Sequence, residues 1–251
     1  MKKVIGYLNY VISKVGYELK EIKDILPIET NNSDLEIIQS VKSNSMSSNL
    51  RLYELIQAVK YINRNNIKGD FVECGVWRGA NLVVMQKLIE QYNIENKSVY
   101  GFDTFDGMSE PTEFDLDYAG NSAKELMTNT KKDEKRGIWA YSPKEKVFDF
   151  IQNNVLNKKN INLIEGKVED TLLNSNNLPE KISLLRLDTD FYESTKIELE
   201  ILYPLLEKGG VLIIDDYGHF EGARKAVDEY FNDKELWLKY VDYTCRLYIK
   251  E

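Results

Sequence analysis

The strongest constraint on the fold is a regular alternation that begins at Gly69. Short apolar runs typical of buried strands are followed by turns and then by segments with helical periodicity. Repeated units of this kind predict a parallel sheet covered by helices on both faces, because the crossovers between parallel strands are right-handed. The fold class is therefore α/β, with a doubly wound, mostly parallel sheet. The predicted strands cover 70–74, 98–102, 161–165, 182–188 and 211–215, the main helices 81–92, 194–206 and 221–231, and a closing hairpin 236–240 and 243–249.

Two helices are predicted before the sheet. Residues 1–25 carry apolar side chains at helical spacing, which indicates an amphipathic helix that ends near Pro27. This helix packs on the domain, mediates dimerisation or touches a membrane surface, and we favour the first two, with a homo-oligomer formed through it. Ile37, Ile38 and Val41 indicate a short helical turn, and 50–66 a longer helix. We accordingly divide the chain into an N-terminal helical arm, 1–48, and a main domain, 49–251.

A long polar segment, 106–144, interrupts the alternation where a short connection would suffice. Irregular loops of this length in a compact domain are usually functional or disordered. Its aromatic and acidic side chains, including Phe114, Tyr118 and Trp139, are not typical of a linker. We therefore interpret the segment as a lid inserted over the active site.

Composition excludes several classes of protein. The 251 residues carry a formal net charge of -8, which disfavours binding to nucleic acid. Cys74 and Cys245 lie in apolar runs, so we expect two buried free thiols and a reducing compartment. The N-terminus does not resemble a signal peptide, and no run approaches the ~18 apolar residues that span a bilayer. These features predict a soluble, cytoplasmic protein.

The first site signal is the turn after the first strand, where Glu73 is followed by Gly75 and Gly79. Glycine lets the backbone turn sharply and lets a ligand approach closely. The glycine spacing differs from that of dinucleotide-binding turns, and Glu73 would repel a pyrophosphate but attract the ammonium group of a methionine moiety. Trp77 either lines the pocket or packs against the insertion. Asp103, at the end of the second strand, either binds ribose hydroxyls or serves as a cap.

The second signal is a set of carboxylates at two neighbouring strand ends. Asp188 and Asp190 follow the fourth strand, and Asp215 and Asp216 follow the fifth. Aspartates that converge on one rim repel one another unless a cation is present, and hard oxygen ligands favour Mg²⁺. The alternative is that these carboxylates are solvated or cap helices.

A divalent cation at this rim has a chemical use. Coordination lowers the pKa of a hydroxyl, and a neighbouring carboxylate can accept its proton. Asp188 is the first candidate for this base and also a candidate ligand, and Asp190 is the second. His219, the only histidine, is a rival base, although a lone loop histidine is more often structural.

Taken together, these segments resemble the macrocin O-methyltransferase family, whose members methylate sugar hydroxyls. The resemblance covers most of residues 46 to 235. It rests on the segments 69–79, 101–108, 187–195 and 213–217, with 222–228 extending it.

The resemblance implies a seven-stranded, Rossmann-like class I methyltransferase fold, S-adenosylmethionine as methyl donor, and Mg²⁺. Glu73, Gly75 and Gly79 would surround the amino-acid end of the donor and Asp103 its ribose. Met46 and Ser47 would close over the methionine, and Gly166 and Lys167 would lie near the adenine. Asp188, Asp215 and Asp216 would hold the metal.

The resemblance leaves the acceptor open among nucleotide sugars, glycans and glycosylated natural products. Two other functions are weighed against a sugar O-methyltransferase. One is a methyltransferase of catechols or other small phenols, and the other is a non-catalytic nucleotide-binding module.

Overall fold

The computed structural model describes residues 2–17, 26–133, 135–232 and 236–251. Nine α-helices are assigned within these ranges: α1 Lys2–Ser13, α2 Asn32–Val41, α3 Asn49–Arg64, α4 Ala80–Gln91, α5 Ala123–Asn129, α6 Lys144–Asn154, α7 Val168–Thr171, α8 Tyr192–Leu202 and α9 Glu221–Tyr230. The strands are β1 Asp70–Cys74, β2 Val99–Asp103, β3 Ile161–Glu165, β4 Ile182–Leu187, β5 Leu206–Ile214, β6 Lys239–Tyr240 and β7 Arg246–Ile249.

The strands form one seven-stranded sheet in the order β3-β2-β1-β4-β5-β7-β6. The pairs among β1 to β5 are parallel, and β7 pairs antiparallel with both β5 and β6. The predicted α/β fold with a mostly parallel sheet is confirmed. The predicted closing hairpin is also present, although its strands are shorter than predicted.

Alternate residues of the strands enter two separate apolar cores, as expected for a sheet with both faces covered. Phe71, Leu184 and Val211 belong to a core that also contains apolar residues of α2, α3 and α4. Val72, Leu185 and Leu212 belong to the other core, with residues of α8 and α9. Cys74 and Cys245 are buried and free, as predicted.

The N-terminal region differs from the prediction in two ways. α1 ends at Ser13, well before Pro27, while residues 18–25 lie outside the described residues. α2 is a full helix of 10 residues where a short turn was predicted, because Asn31 caps it by accepting a hydrogen bond from the Asp34 N–H. Ile37, Ile38 and Val41 of α2 are part of the first core, so this portion of the predicted arm packs with the main domain.

Several element boundaries also shift. β5 begins at Leu206, five residues before the predicted Val211. The insertion is not wholly irregular, since it contains α5 and an isolated bridge from Leu116 to Ser122, and its Asp117 forms a second bridge to Phe220 outside it. Among the described residues, no helix is both long and apolar enough to cross a membrane. Assembly through α1 stays a prediction.

Candidate active site

Two adjoining cavities open at the carboxyl ends of the central strands. The first has a volume of about 620 Å³ and the second of about 1120 Å³. They share the lining residues Met46, Trp77, Ala140, Asp188 and Asp190. Because ligands of open α/β sheets bind beyond the carboxyl ends of the strands, this pair of cavities is the candidate active site.

Main-chain hydrogen bonds past the strand ends hold the site together. The N–H groups of Gly75, Asp188 and Asp215 donate to the carbonyls of Phe102, Cys74 and Leu187, each at 2.9 Å. The loops that follow β1, β2, β4 and β5 are thereby fixed side by side. The sequence analysis predicted that the strand ends carrying the aspartates meet at one rim of the sheet, and they do so here.

The first cavity contains most of the residues predicted to bind the donor. Gly75, Trp77 and Asp103 line it together with Met46, and Gly166 and Lys167 line another part of its wall. The insertion contributes Gly107, Met108 and Ala140, so it forms part of the wall, as a lid would. Direct contacts of these residues with a donor stay predictions.

Gly75 is required for a reason that the sequence did not show. It has a φ of +85°, and a Cβ on it would lie 1.9 Å from the Asp188 carbonyl oxygen. Close approach of another strand end, rather than only of a ligand, excludes a side chain here. Gly79 precedes α4 with a φ of +81° and serves the start of that helix.

Asp103 serves as a backbone anchor. One carboxylate oxygen accepts the N–H groups of Val76 and Trp77 at 2.7 and 2.9 Å, and the other accepts the Phe105 N–H at 2.7 Å. Burial raises the pKa of Asp103, while these backbone hydrogen bonds lower it. The capping role weighed from the sequence is therefore present, and ribose binding by the same residue stays a prediction.

Glu73 is fully buried and pairs with a cation that the sequence reasoning overlooked. Its Oε1 accepts hydrogen bonds from Asn81 at 2.7 Å and from Arg186 at 2.8 Å. Its Oε2 has no hydrogen-bond partner within the described part of the chain. Burial raises the pKa of Glu73 to about 7, although Arg186 and Asn81 lower it.

Arg186 joins the carboxylates of the site into one network. Beyond Glu73, its guanidinium donates to Asp188 at 2.5 Å and to Asp215 at 2.6 Å, and a longer hydrogen bond reaches Ser47 at 3.3 Å. An arginine within the buried strand β4, whose other residues are apolar except for Ser183, was the available sequence signal. Buried charges of this kind need partners, so the position itself indicated a nearby anionic site.

Asp188, Asp215 and Asp216 come together as predicted for metal ligands. One carboxylate oxygen of each lies within 4.8 Å of the others. Burial raises the pKa of Asp188 and of Asp216 well above the ordinary value, and neighbouring carboxylates add to this. The charge repulsion expected of these aspartates is therefore present, and the all-oxygen donor set fits a hard divalent cation.

Arg51 is a second cation at this cluster that was missed. It lies in the first turn of α3, forms an ion pair with Asp215, and reaches Asp242 at 3.2 Å. Burial opposes ionisation of Asp215, but Arg186 and Arg51 together hold its pKa below the ordinary value. Both oxygens of Asp215 therefore have arginine partners, and a cation would share one of them with an arginine.

The three candidate bases occupy different places. Asp188 and Asp190 line both cavities, whereas His219 lines the second. Asp190 has a left-handed backbone, with a φ of +67°, a strained state that clusters at functional sites. Burial raises the pKa of Asp190 to about 7, although a hydrogen bond with Asp216 lowers it. His219 instead has a hydrogen bond between its Nδ1 and the Tyr243 hydroxyl at 3.1 Å.

The sequence from residue 33 to 250 matches the profile of the family described as Macrocin-O-methyltransferase (TylF). The chain belongs to this family. A member from Streptomyces niveus, demethyldecarbamoylnovobiocin O-methyltransferase, is 32% identical over 181 residues, which cover 72% of this chain. A second, the 8-demethyl-8-(2,3-dimethoxy-alpha-L-rhamnosyl)-tetracenomycin-C 4'-O-methyltransferase of Streptomyces olivaceus, is 31% identical over 72% of this chain. Each match spans 64% of the relative's own length.

Solved methyltransferase structures share the fold of this chain. The O-methyltransferase NovP superposes with a TM-score of 0.70 and 25% sequence identity, over 99% of this chain and 98% of that protein. The calicheamicin methyltransferase CalS11 superposes with a TM-score of 0.59 at 18% identity, over 93% and 98% of the two chains, and supports the fold. The class I methyltransferase fold implied by the resemblance is thus confirmed.

Proposed function

We propose that this protein transfers a methyl group from S-adenosylmethionine to a sugar hydroxyl, assisted by Mg²⁺. The observation that carries the proposal is the junction of the two cavities at Asp188 and Asp190, beside the cluster of three aspartates. Both named relatives are O-methyltransferases, one named for a demethyldecarbamoyl form of novobiocin and the other for a rhamnosyl-tetracenomycin. Together these observations support a donor site and an acceptor site that meet where the methyl group is transferred.

The first cavity suits the donor. It is enclosed by the β1 turn, by the ends of β2 and β3, and by the insertion, and it includes both apolar and polar groups. The positively charged sulfonium would lie near Asp188 and Asp190 at the shared wall. Proximity of the donor methyl group to the acceptor oxygen at this wall would supply much of the rate.

The second cavity suits the acceptor. Asp188, Asp215 and Asp216 line it, as do the apolar side chains of Leu126, Ile138 and Phe220. A divalent cation bound by the three aspartates would lower the pKa of an acceptor hydroxyl. Arg186 holds the carboxylates of Asp188 and Asp215, and Arg51 also holds that of Asp215, before any cation binds.

Asp188 is our first candidate for accepting the hydroxyl proton, and Asp190 the second. Asp188 lies where both cavities meet and is held by Arg186, which fixes its orientation. Asp190 lies at the same wall, and its pKa of about 7 is near that of an effective general base at neutral pH. His219 lines the second cavity, and its Nε2 can accept a proton in the tautomer whose Nδ1 donates to the Tyr243 hydroxyl.

The test is methyl transfer with isotopically labelled S-adenosylmethionine and a panel of sugar-containing acceptors. We expect transfer that stops with EDTA and returns with Mg²⁺. Transfer that is unchanged by EDTA would exclude the metal. Transfer only to catechols would favour the phenol methyltransferase, and donor binding without transfer to any hydroxyl would favour a binding module.

A further inference from the structure

His219 and Tyr243 line the second cavity, and the ring of Tyr118 lies next to both, so that the three rings form what we call the aromatic cluster. The ring centroids of Tyr118 and His219 are 5.3 Å apart, those of His219 and Tyr243 are 5.8 Å apart, and those of Tyr118 and Tyr243 are 6.0 Å apart. Tyr118 is 69% exposed and Tyr243 56% exposed. Large rings left this open to solvent beside a cavity mark a surface that a ligand covers.

Three separate segments build the cluster, and main-chain contacts hold them together. Tyr118 comes from the insertion, whose Asp117 bridges to Phe220 and whose Leu116 carbonyl accepts the Glu221 N–H at 2.9 Å. The Gly218 N–H donates to the Thr244 carbonyl at 2.8 Å, which ties the loop after β5 to the loop before β7.

Gly218 shows how closely those two loops approach. A Cβ on Gly218 would lie 1.8 Å from the Tyr243 carbonyl oxygen. The Tyr243 hydroxyl then reaches back to His219 Nδ1. The loops that carry the rings are therefore held together before any ligand binds, which lowers the entropic cost of stacking a ligand on the rings.

The cluster is also connected to the metal ligands. Thr244, next to Tyr243, donates its hydroxyl to the Asp215 carbonyl at 2.6 Å, and the same hydroxyl oxygen lies 3.3 Å from the Asp216 carboxylate. If a sugar hydroxyl binds at the aspartates, the group linked to that sugar would therefore lie close to these rings. The aromatic cluster is thus positioned to contact the acceptor.

The charge of the cavity determines what kind of group fits. Asp188, Asp190, Asp215 and Asp216 line it, and Arg51, also in its wall, already pairs with Asp215 and Asp242. Arg51 and a divalent cation bound by the aspartates would together offset three of these four formal negative charges, so the wall stays net negative and disfavours a phosphate. Aromatic rings with a polar edge instead suit a ligand with an apolar face and hydroxylated edges.

We propose that the aromatic cluster is an acceptor subsite that stacks against an uncharged ring attached to the methylated sugar. This inference rests on the proposed function, since it assumes that the second cavity holds a sugar acceptor. It narrows the acceptor from any sugar-containing molecule to a neutral glycoside, and it places nucleotide-linked sugars outside the preferred class.

The experiment compares two sets of probes on protein saturated with S-adenosylhomocysteine and Mg²⁺. One set is a panel of neutral nitrophenyl glycosides, and the other is the same sugars linked to thymidine diphosphate. Binding is measured by saturation-transfer NMR and by calorimetry. We expect the neutral glycosides to bind more tightly than their nucleotide-linked counterparts.

Variants locate the subsite. Tyr243→Ala and Tyr118→Ala should each weaken glycoside binding roughly tenfold, which corresponds to the upper range for one aromatic contact. Tyr243→Phe keeps the ring and should bind nearly as well as the natural protein. Affinity for S-adenosylhomocysteine, measured for every variant, should not change, which shows that the variants are folded.

Three results would overturn the inference: tighter binding of the nucleotide-linked sugars, no binding of either set, or unchanged glycoside binding in both alanine variants. Arg136, which is exposed and lies 6.0 Å from the Trp77 ring, provides a further check. Weaker binding of the nucleotide-linked sugars in Arg136→Ala would show that Arg136 binds their phosphates, and this would also count against a neutral acceptor. Methyl transfer followed in parallel separates the two proposals, because transfer only to nucleotide-linked sugars would support the function and reject the subsite.

Discussion

Gly75 lies so close to Asp188 that a Cβ on the glycine would be 1.9 Å from the aspartate carbonyl oxygen. This contact joins the turn after β1, which lines the donor cavity, to the strand end that carries a candidate metal ligand and base. The two halves of the site are thereby fixed by backbone packing. A change at Gly75 should therefore affect both.

Gly75→Ala should destabilise the protein and displace Asp188. The positive φ costs an alanine about 1–2 kcal/mol, and the clash with a backbone atom adds to it. Gly120→Ala is the matched control, because Gly120 has a φ of +83° and no heavy atom within 4 Å of the added Cβ. Chemical denaturation should show a markedly larger decrease in the free energy of unfolding for Gly75→Ala than for Gly120→Ala. Equal decreases would mean that the backbone around Asp188 moves to accommodate the added Cβ at no cost.

Asp215→Asn and Asp188→Asn should remove divalent-cation binding and methyl transfer while largely sparing donor affinity. Each replaces a charged oxygen donor of the three-aspartate cluster by a neutral amide. Calorimetric titration with Mg²⁺ should show affinity reduced at least tenfold, about 1.4 kcal/mol. Asp228→Asn, outside the cluster, is the control. Transfer at natural rates in both cluster variants would contradict the metal assignment.

Glu73→Gln should weaken binding of S-adenosylmethionine by about tenfold, the smaller end of the 1.5–3 kcal/mol typical of hydrogen bonds to charged groups. The substitution keeps the shape of the side chain but removes the negative charge next to Asn81 and Arg186. Calorimetry with the donor measures the effect, and circular dichroism confirms the fold. Unchanged donor affinity would remove Glu73 from the donor site and leave it as a partner of Arg186.

His219 should titrate below its ordinary pKa of 6.5, because burial lowers its pKa and Arg51 adds to this, while Asp117 opposes them. As the only histidine, it gives isolated ring signals in NMR. The folded state then binds fewer protons than the unfolded chain below pH 6.5, so this residue makes stability fall as the pH decreases from there. Asp117→Asn should lower the His219 pKa further. A midpoint above 6.5 would show that Asp117 outweighs burial.

Glu198→Gln should raise the free energy of unfolding relative to the natural protein more at pH 8 than at pH 4.5. Glu198 is fully buried and accepts the Thr189 hydroxyl at 2.9 Å, and burial raises its pKa well above the ordinary 4.5. The folded state thus retains a proton that the unfolded chain releases, so stability falls as the pH rises above 4.5. Glutamine removes this dependence. Denaturation at pH 4.5 and pH 8 measures the free energy of unfolding, and Glu180→Gln, at an exposed position, is the control. The same change in this free energy between the two pH values in all three proteins would contradict the prediction.

The sequence by itself determined the sheet and the rim that carries the site. Period-2 and helical patterns are local, so β1, β3 and α9 were predicted within about one residue of their observed bounds. Parallel strands place their carboxyl ends on one edge, which is why Asp188, Asp215 and Asp216 were expected to meet there. Family resemblance added Met46, Gly166 and Lys167, which do line the cavities.

Only the tertiary structure decided which charges neutralise one another. Arg51 contacts Asp215 across 164 residues of sequence, and Arg186 contacts Glu73 across 113, distances over which local patterns carry no information. The same holds for the aromatic cluster, whose three rings come from distant loops, and for Gly75, whose constraint is the backbone of another strand. Burial and partner choice depend on packing of the whole chain, and they set the pKa of each carboxylate in the site.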